Sequence, residues 1–177
     1  MLPYAELTAQ GLSAGFTHIA PLRADTLRPQ EEVREMCRAC KVYGTCWSCP
    51  PGCGSLEDCR AKIALYSEGI LVQTVGELED DMDGEGMMET ERLHKAHFLT
   101  LYEDLRPRYP QLLALGAGRC GQCRVCPCPD APCRFPDRMV SSMEAYGILV
   151  SQTCRDNSLG YYYGPRTIAY TSCFLLQ

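Results

Sequence analysis

Apolar residues follow two rhythms along this chain. Gly69-Ile70-Leu71-Val72-Gln73-Thr74-Val75 is a continuous apolar run bounded by glycines, as expected of a buried central strand. From about Gly86 to Leu105 the spacing becomes helical and amphipathic, and Pro107 stops it. Tyr4 to Ala14 reads as a helix and Phe16 to Ala20 as a short strand. Pro29 followed by Glu31 and Glu32 marks a helix start, with proline and acids in the first turn. Ser55-Leu56-Glu57-Asp58 forms a capping box with Asp in the Glu position and opens a helix towards Tyr66. Leu112 to Leu115 predicts a second strand, Ser141 with Glu144 a capping box opening another helix, and Thr167 to Leu176 the last strand. The expectation is a single domain over residues 1–177, α+β or α/β, with a small mixed sheet flanked by helices.

Composition narrows what such a domain does. A chain of 177 residues, 46% apolar and 22% charged, buries an ordinary core without staples. The net charge of −5 argues against nucleic acid, whose phosphates need a basic surface. No stretch approaches the length of a membrane span, and the first residues lack the basic start and apolar core of a signal peptide. A cytoplasmic location, with neither nucleic acid nor membrane as partner, is the expectation.

Cysteine changes the picture, at 13 of 177 residues. The number is odd, and reducing compartments keep clustered thiols free for metals or catalysis rather than disulfides. Eleven of them occupy two blocks, residues 37–59 and 120–133, which read as loops rich in proline and glycine.

Cys120, Cys123 and Cys126 are spaced two residues apart, and Cys133 follows after six. Thiolates at this spacing converge on adjacent corners of a cube, as in ferredoxin runs that hold a [4Fe–4S] cluster. Zinc sites more often pair two Cys-x2-Cys hairpins across a longer stretch. Cys128-Pro129 departs from the ferredoxin run, coming after only one residue. In the first block, Cys37-x2-Cys40 and Cys46-x2-Cys49 precede Cys53; a compact Cys₄ zinc site is a real rival there. A thioredoxin-like dithiol at Cys46 and Cys49 is disfavoured because Pro50-Pro51 forbids the helix it needs and imposes an extended chain.

Other motifs have plainer readings. Gly116-x-Gly118-x-x-Gly121 matches a dinucleotide fingerprint, but Pro127, Pro129 and Pro132 follow and no helix can start. Glu79 to Gly84 fails as a calcium loop at its first and twelfth positions and reads as a solvated acidic loop, a docking surface for a basic partner. His94 and His97 have chelating spacing without a carboxylate to complete a site, so an exposed helix face is expected.

Several phrases carry a family resemblance. Val33-Arg34-Glu35-Met36-Cys37, Trp47-Ser48-Cys49-Pro50-Pro51-Gly52-Cys53-Gly54-Ser55-Leu56-Glu57, Pro132-Cys133-Arg134-Phe135-Pro136 and Ser142-Met143-Glu144-Ala145-Tyr146-Gly147 resemble the cysteine-rich predicted metal-binding family known as domain of unknown function 2284, of anaerobic bacteria and archaea. The resemblance runs from about Glu31 to the C-terminus and implies metal or iron–sulfur binding. It points to Cys37, Cys40, Cys49, Cys53 and Cys59 in the first block, and to Cys120, Cys123, Cys126 and Cys133 in the second. Cys46 and Cys128 lie outside the family pattern, the Cys37–Cys40 spacing is shorter than in that pattern, and Cys154 or Cys173 is implied as a remote ligand.

Spacing and resemblance together predict two [4Fe–4S] clusters in low-potential electron transfer or reductive chemistry, with a redox partner protein. The C-terminal cluster is expected on Cys120, Cys123, Cys126 and Cys133, and the N-terminal one on Cys37, Cys40, Cys49 and Cys53. Cys59, Cys46, Cys128 and Cys154 stand in reserve. Arg119, Arg124, Arg134 and Arg138 stand near enough in sequence to offset cluster charge. The ambiguous fourth ligand of the first block suggests an open iron there and a reductase; structural zinc is the alternative cofactor. No catalytic residue is assigned.

Overall fold

A computed structural model describes residues 2–177. Four strands form one sheet: β1 (His18–Arg23), β2 (Glu68–Glu77), β3 (Leu113–Leu115) and β4 (Thr167–Leu176), in the order β1-β2-β4-β3. All pairings are antiparallel, with β2 and β4 in register from Glu68↔Leu176 to Glu77↔Thr167. The α+β expectation holds. In place of a mixed sheet there is a single isolated parallel bridge between Gly116 and Ser142.

The central strands are covered on both faces, which is why β2 reads as an unbroken apolar run. Ile70, Val72, Phe174 and Leu176 meet Leu7 of α1 (Tyr4–Ser13) and Phe98, Leu101 and Leu105 of α4 (Gly84–Leu105). On the other face Leu71, Cys173 and Leu175 meet Cys59 and Ile63 of α3 (Leu56–Ile63), Met143, Ile148 and Cys154. Cys154 lies in α5 (Val150–Asp156), and α2 (Glu31–Arg38) leads into the first cysteine block. One glycine permits the docking of α4. A Cβ at Gly76 of β2 would stand 2.1 Å from Thr90 Oγ1 of α4.

Local signals act at three helix starts, as anticipated at α3. Ser55 accepts from the Asp58 amide and Asp58 reaches back to Ser55, so the capping box of α3 is formed. The acidic loop ends in Asp83, whose carboxylate caps α4 by accepting from the Gly86 amide at 2.8 Å. At α2 the first turn holds the acids Glu31 and Glu32 but not the proline: Gln30 is the cap and Pro29 lies before it, outside the helix.

Three expectations are corrected. The box at Ser141 and Glu144 does not open a helix: Ser142 Oγ accepts from the Ala145 amide, and one 3-10 turn, Glu144–Tyr146, forms instead. Gly147 ends it at φ +75°, a conformation open to glycine, where a Cβ would lie 2.8 Å from Gln30 O. His94 is not on an exposed face. It is 0% exposed, with Nδ1 3.0 Å from Thr74 Oγ1 and Nε2 2.7 Å from Ser172 Oγ, so both ring nitrogens are engaged against the sheet. After Cys49 the chain turns rather than extends, the Cys53 amide donating to Cys49 O.

Candidate metal centre

The thirteen cysteines are all free thiols, and the fold sorts them into two groups and a remainder. The first group gathers around the end of α2. Cys37 sits in its last turn, and the Cys40 amide donates back to Cys37 O at 3.0 Å. Cys49 and Cys53 bracket the Pro50-Pro51 turn, and Cys59 rises from α3. The 3-10 turn covers them: the Cys37 thiol points to Glu144 O (3.8 Å) and the Cys53 thiol to Ala145 O (3.6 Å). Cys59, 0% exposed, belongs both to this group and to the apolar core.

Arg34 supplies the positive charge of this group from within α2, one helical turn before Cys37. Its Nη1 donates to Cys59 Sγ at 3.7 Å and its Nη2 to Gly54 O, while Nε is buried without a partner among the described residues. The adjacent Cys53 thiol, helped by Arg34 against the cost of burial, lowers the Cys59 thiol below the ordinary range. The same neighbour, Cys59, together with burial pushes Cys53 up. Burial also raises Cys37, and raises Cys49 to about 11.

The second group meets in a recess lined by Cys120, Cys123, Cys126 and Cys133 together with Cys46, from the other block. Three contacts bring Cys46 there. Trp47 Nε1 donates to Ala131 O (2.9 Å), Ser48 Oγ accepts from the Cys120 amide (3.1 Å), and Cys46 Sγ lies 3.2 Å from Ser48 Oγ. Ser48 Oγ stands between the two blocks' thiols, 3.2 Å from Cys46 Sγ and 3.9 Å from Cys49 Sγ. The two groups therefore adjoin along Cys46-Trp47-Ser48-Cys49. Although burial opposes it, the Cys126 thiol is lowered overall, by amide hydrogen bonds from Cys128 and Trp47, by the Cys46 thiol and by Arg134.

Cys128 lies just outside the recess, its thiol turned to Gly44 O at 3.7 Å, and burial raises it. Cys154 and Cys173 join neither group. Both are 0% exposed in the core with Leu71 and Leu175, and burial pushes Cys173 up to about 12. Apolar surroundings make such thiols poor ligands.

Sequence reasoning missed Ser48 as the bridge between the groups, the crossing of Cys46, and the covering turn Glu144–Tyr146. Arg34 had a legible signal, since a residue three before Cys37 on a helix shares its face.

Among the described residues no three Cys, His, Asp or Glu side chains converge closely enough to hold a single metal ion. The donor set nevertheless fits a thiolate-held metal or cluster. Each group is rich in thiols, each has a guanidinium beside it, and the buried Arg34 Nε has a free proton to give to a sulfur. Among known proteins, the model of a family described as a predicted metal-binding protein, domain of unknown function 2284, matches residues 20–176. No curated protein and no solved structure matches.

Proposed function

The chain belongs to this predicted metal-binding family, and from that premise we propose that it is an iron–sulfur protein carrying two [4Fe–4S] clusters and exchanging electrons with a redox partner protein. The observation that carries the reading is the small recess that Cys120, Cys123, Cys126 and Cys133 line together with Cys46. Three of these follow at two-residue spacing, the arrangement by which short runs wrap a cube. Cys37, Cys40, Cys49 and Cys53 hold the first cluster in this reading, with Cys59 beside them. When bound, such a cluster supplies one-electron chemistry at a potential tuned by charge, hydrogen bonds to sulfur and burial.

The chain's own residues do that tuning. Arg34 and Arg134 offset the negative charge of the thiolates, favouring the reduced state. Trp47 closes part of the second recess against water, held there by Ala131 O. A cytoplasmic setting suits free thiols, because its reductants keep them from pairing.

Protein purified without oxygen is expected to be brown, to contain iron and acid-labile sulfide, and to bleach on reduction. Cys123→Ser and Cys133→Ser should each lose about half of the iron, whereas Cys128→Ser and Cys46→Ser keep it. Colourless protein with stoichiometric zinc would overturn the iron–sulfur reading. Loss of a cluster in Cys46→Ser, with Cys133→Ser intact, would transfer the closing thiolate to Cys46.

A further inference from the structure

We infer that the cavity between α4 and the Gly116–Gln122 loop is a binding site for a small organic anion with an apolar body. The cavity is about 250 Å³, just below the roughly 300–1,000 Å³ of drug-sized sites. That volume suits a small aromatic or branched carboxylate and is too small for a nucleotide. Its floor is apolar: Phe98, Val140 and Gly116 lie there, and Phe98 is held by stacking on Phe174 with ring centroids 4.8 Å apart. An apolar floor with a few convergent polar groups is the common form of small-molecule sites.

The rim decides the charge of the ligand. Lys95, Arg119 and Arg138 line the cavity, and no carboxylate does. Lys95 is already answered by Glu91, and Arg138 by Glu103 at 3.6 Å on the exposed surface. Arg119 has no carboxylate within ion-pair distance among the described residues, in a chain whose net charge is −5. A guanidinium left free above an apolar floor is matched by a carboxylate, which it grips through two parallel hydrogen bonds.

The location is as informative as the lining. Cys120 and Gln122 line both this cavity and the cysteine recess, so an occupant would lie against the second thiol group. Sequence had pointed to the first block as the more reactive; the ligand-sized apolar cavity adjoins the second. To the extent that the occupant is placed beside a metal centre, the inference rests on the iron–sulfur reading; as a binding site it stands on the cavity alone.

The test uses full-length, anaerobically purified protein titrated with 4-fluorobenzoate and followed by ¹⁹F NMR, with iron and sulfide measured on the same samples. Saturable binding is expected, weakened about tenfold or more in Arg119→Gln, an exposed position where folding is not at stake. Gly116→Leu should abolish it, because a Cβ there would sit 3.4 Å from Val140 Cγ1 and 4.0 Å from Phe98 Cζ, and the added branch fills the floor. 4-Fluorobenzyl alcohol should bind more weakly than the acid, and inorganic phosphate should compete poorly. The inference is overturned by absence of saturation up to about 10 mM, by equal binding of the alcohol, by phosphate competing as well as the acid, or by an Arg119→Gln variant that binds unchanged. Binding by iron-free protein would leave this site standing and count against the cluster reading; iron-replete protein that ignores the probe would do the reverse.

Discussion

His94 should make the fold acid-sensitive well above the range in which carboxylates titrate. The ring is buried between α4 and the sheet, with both nitrogens on hydroxyls and Phe16 packed edge-on at 5.5 Å. Burial, reinforced by neighbouring His97 and Lys95, lowers its pKa from the ordinary 6.5 to about 3. In the unfolded chain the same imidazole takes up its proton near 6.5. The unfolded state therefore binds the proton first as pH falls. His94 thus contributes stability that is complete above about pH 6.5 and drains away from there down to about pH 3. Each pH unit in that window costs about 1.4 kcal/mol, so roughly 2 kcal/mol is gone by pH 5. His94→Gln keeps a donor and an acceptor for Thr74 and Ser172 but does not titrate. Urea unfolding of both chains at pH 7, 6 and 5 isolates the effect, because thiol protonation and metal loss are common to the two. The stability difference between wild type and variant should shrink by roughly 2 kcal/mol from pH 7 to pH 5. A difference that stays constant across those pH values would refute the reasoning.

Arg34→Gln should weaken metal retention in the first thiol group by about 10–100-fold in a chelator competition, whereas Arg38→Gln, whose partner is the exposed Glu35, should leave it unchanged. Gly76→Ala tests the closeness of α4: the new Cβ meets Thr90, so urea unfolding should show a loss of about 1–3 kcal/mol, where ordinary strand preference would give a gain of about 0.5–1 kcal/mol.

Much of the fold was legible because local and tertiary preferences agree. The strand at Thr167–Leu176 and the box at Ser55 and Asp58 appear where the residues announce them. His94 is buried where its polarity and chelating spacing predict an exposed face. Thr90, His94, Phe98, Leu101 and Leu105 form one stripe at helical spacing and are all buried, so the stripe outweighed the polarity of the imidazole. The grouping of the thiols was only half legible. Spacing reveals which cysteines are local to one another, and so the run from Cys120 to Cys133 could be read. It says nothing of contacts such as Trp47 to Ala131, 84 residues apart, and those are what carry Cys46 across.

That crossing bears on how much the chain gains from holding a metal. A centre closed between Cys120 and Cys133 ties a loop of 14 residues, which in chain-entropy terms restrains the unfolded state by about 3 kcal/mol. Were Cys46 to close it instead, the tie would span the 75 positions from 46 to 120, worth about 4.5 kcal/mol on the same footing. The knot would then gather β2, the whole of α4 and β3 into one loop, and the choice between Cys133 and Cys46 would decide whether metal merely decorates a finished fold or staples its two halves together.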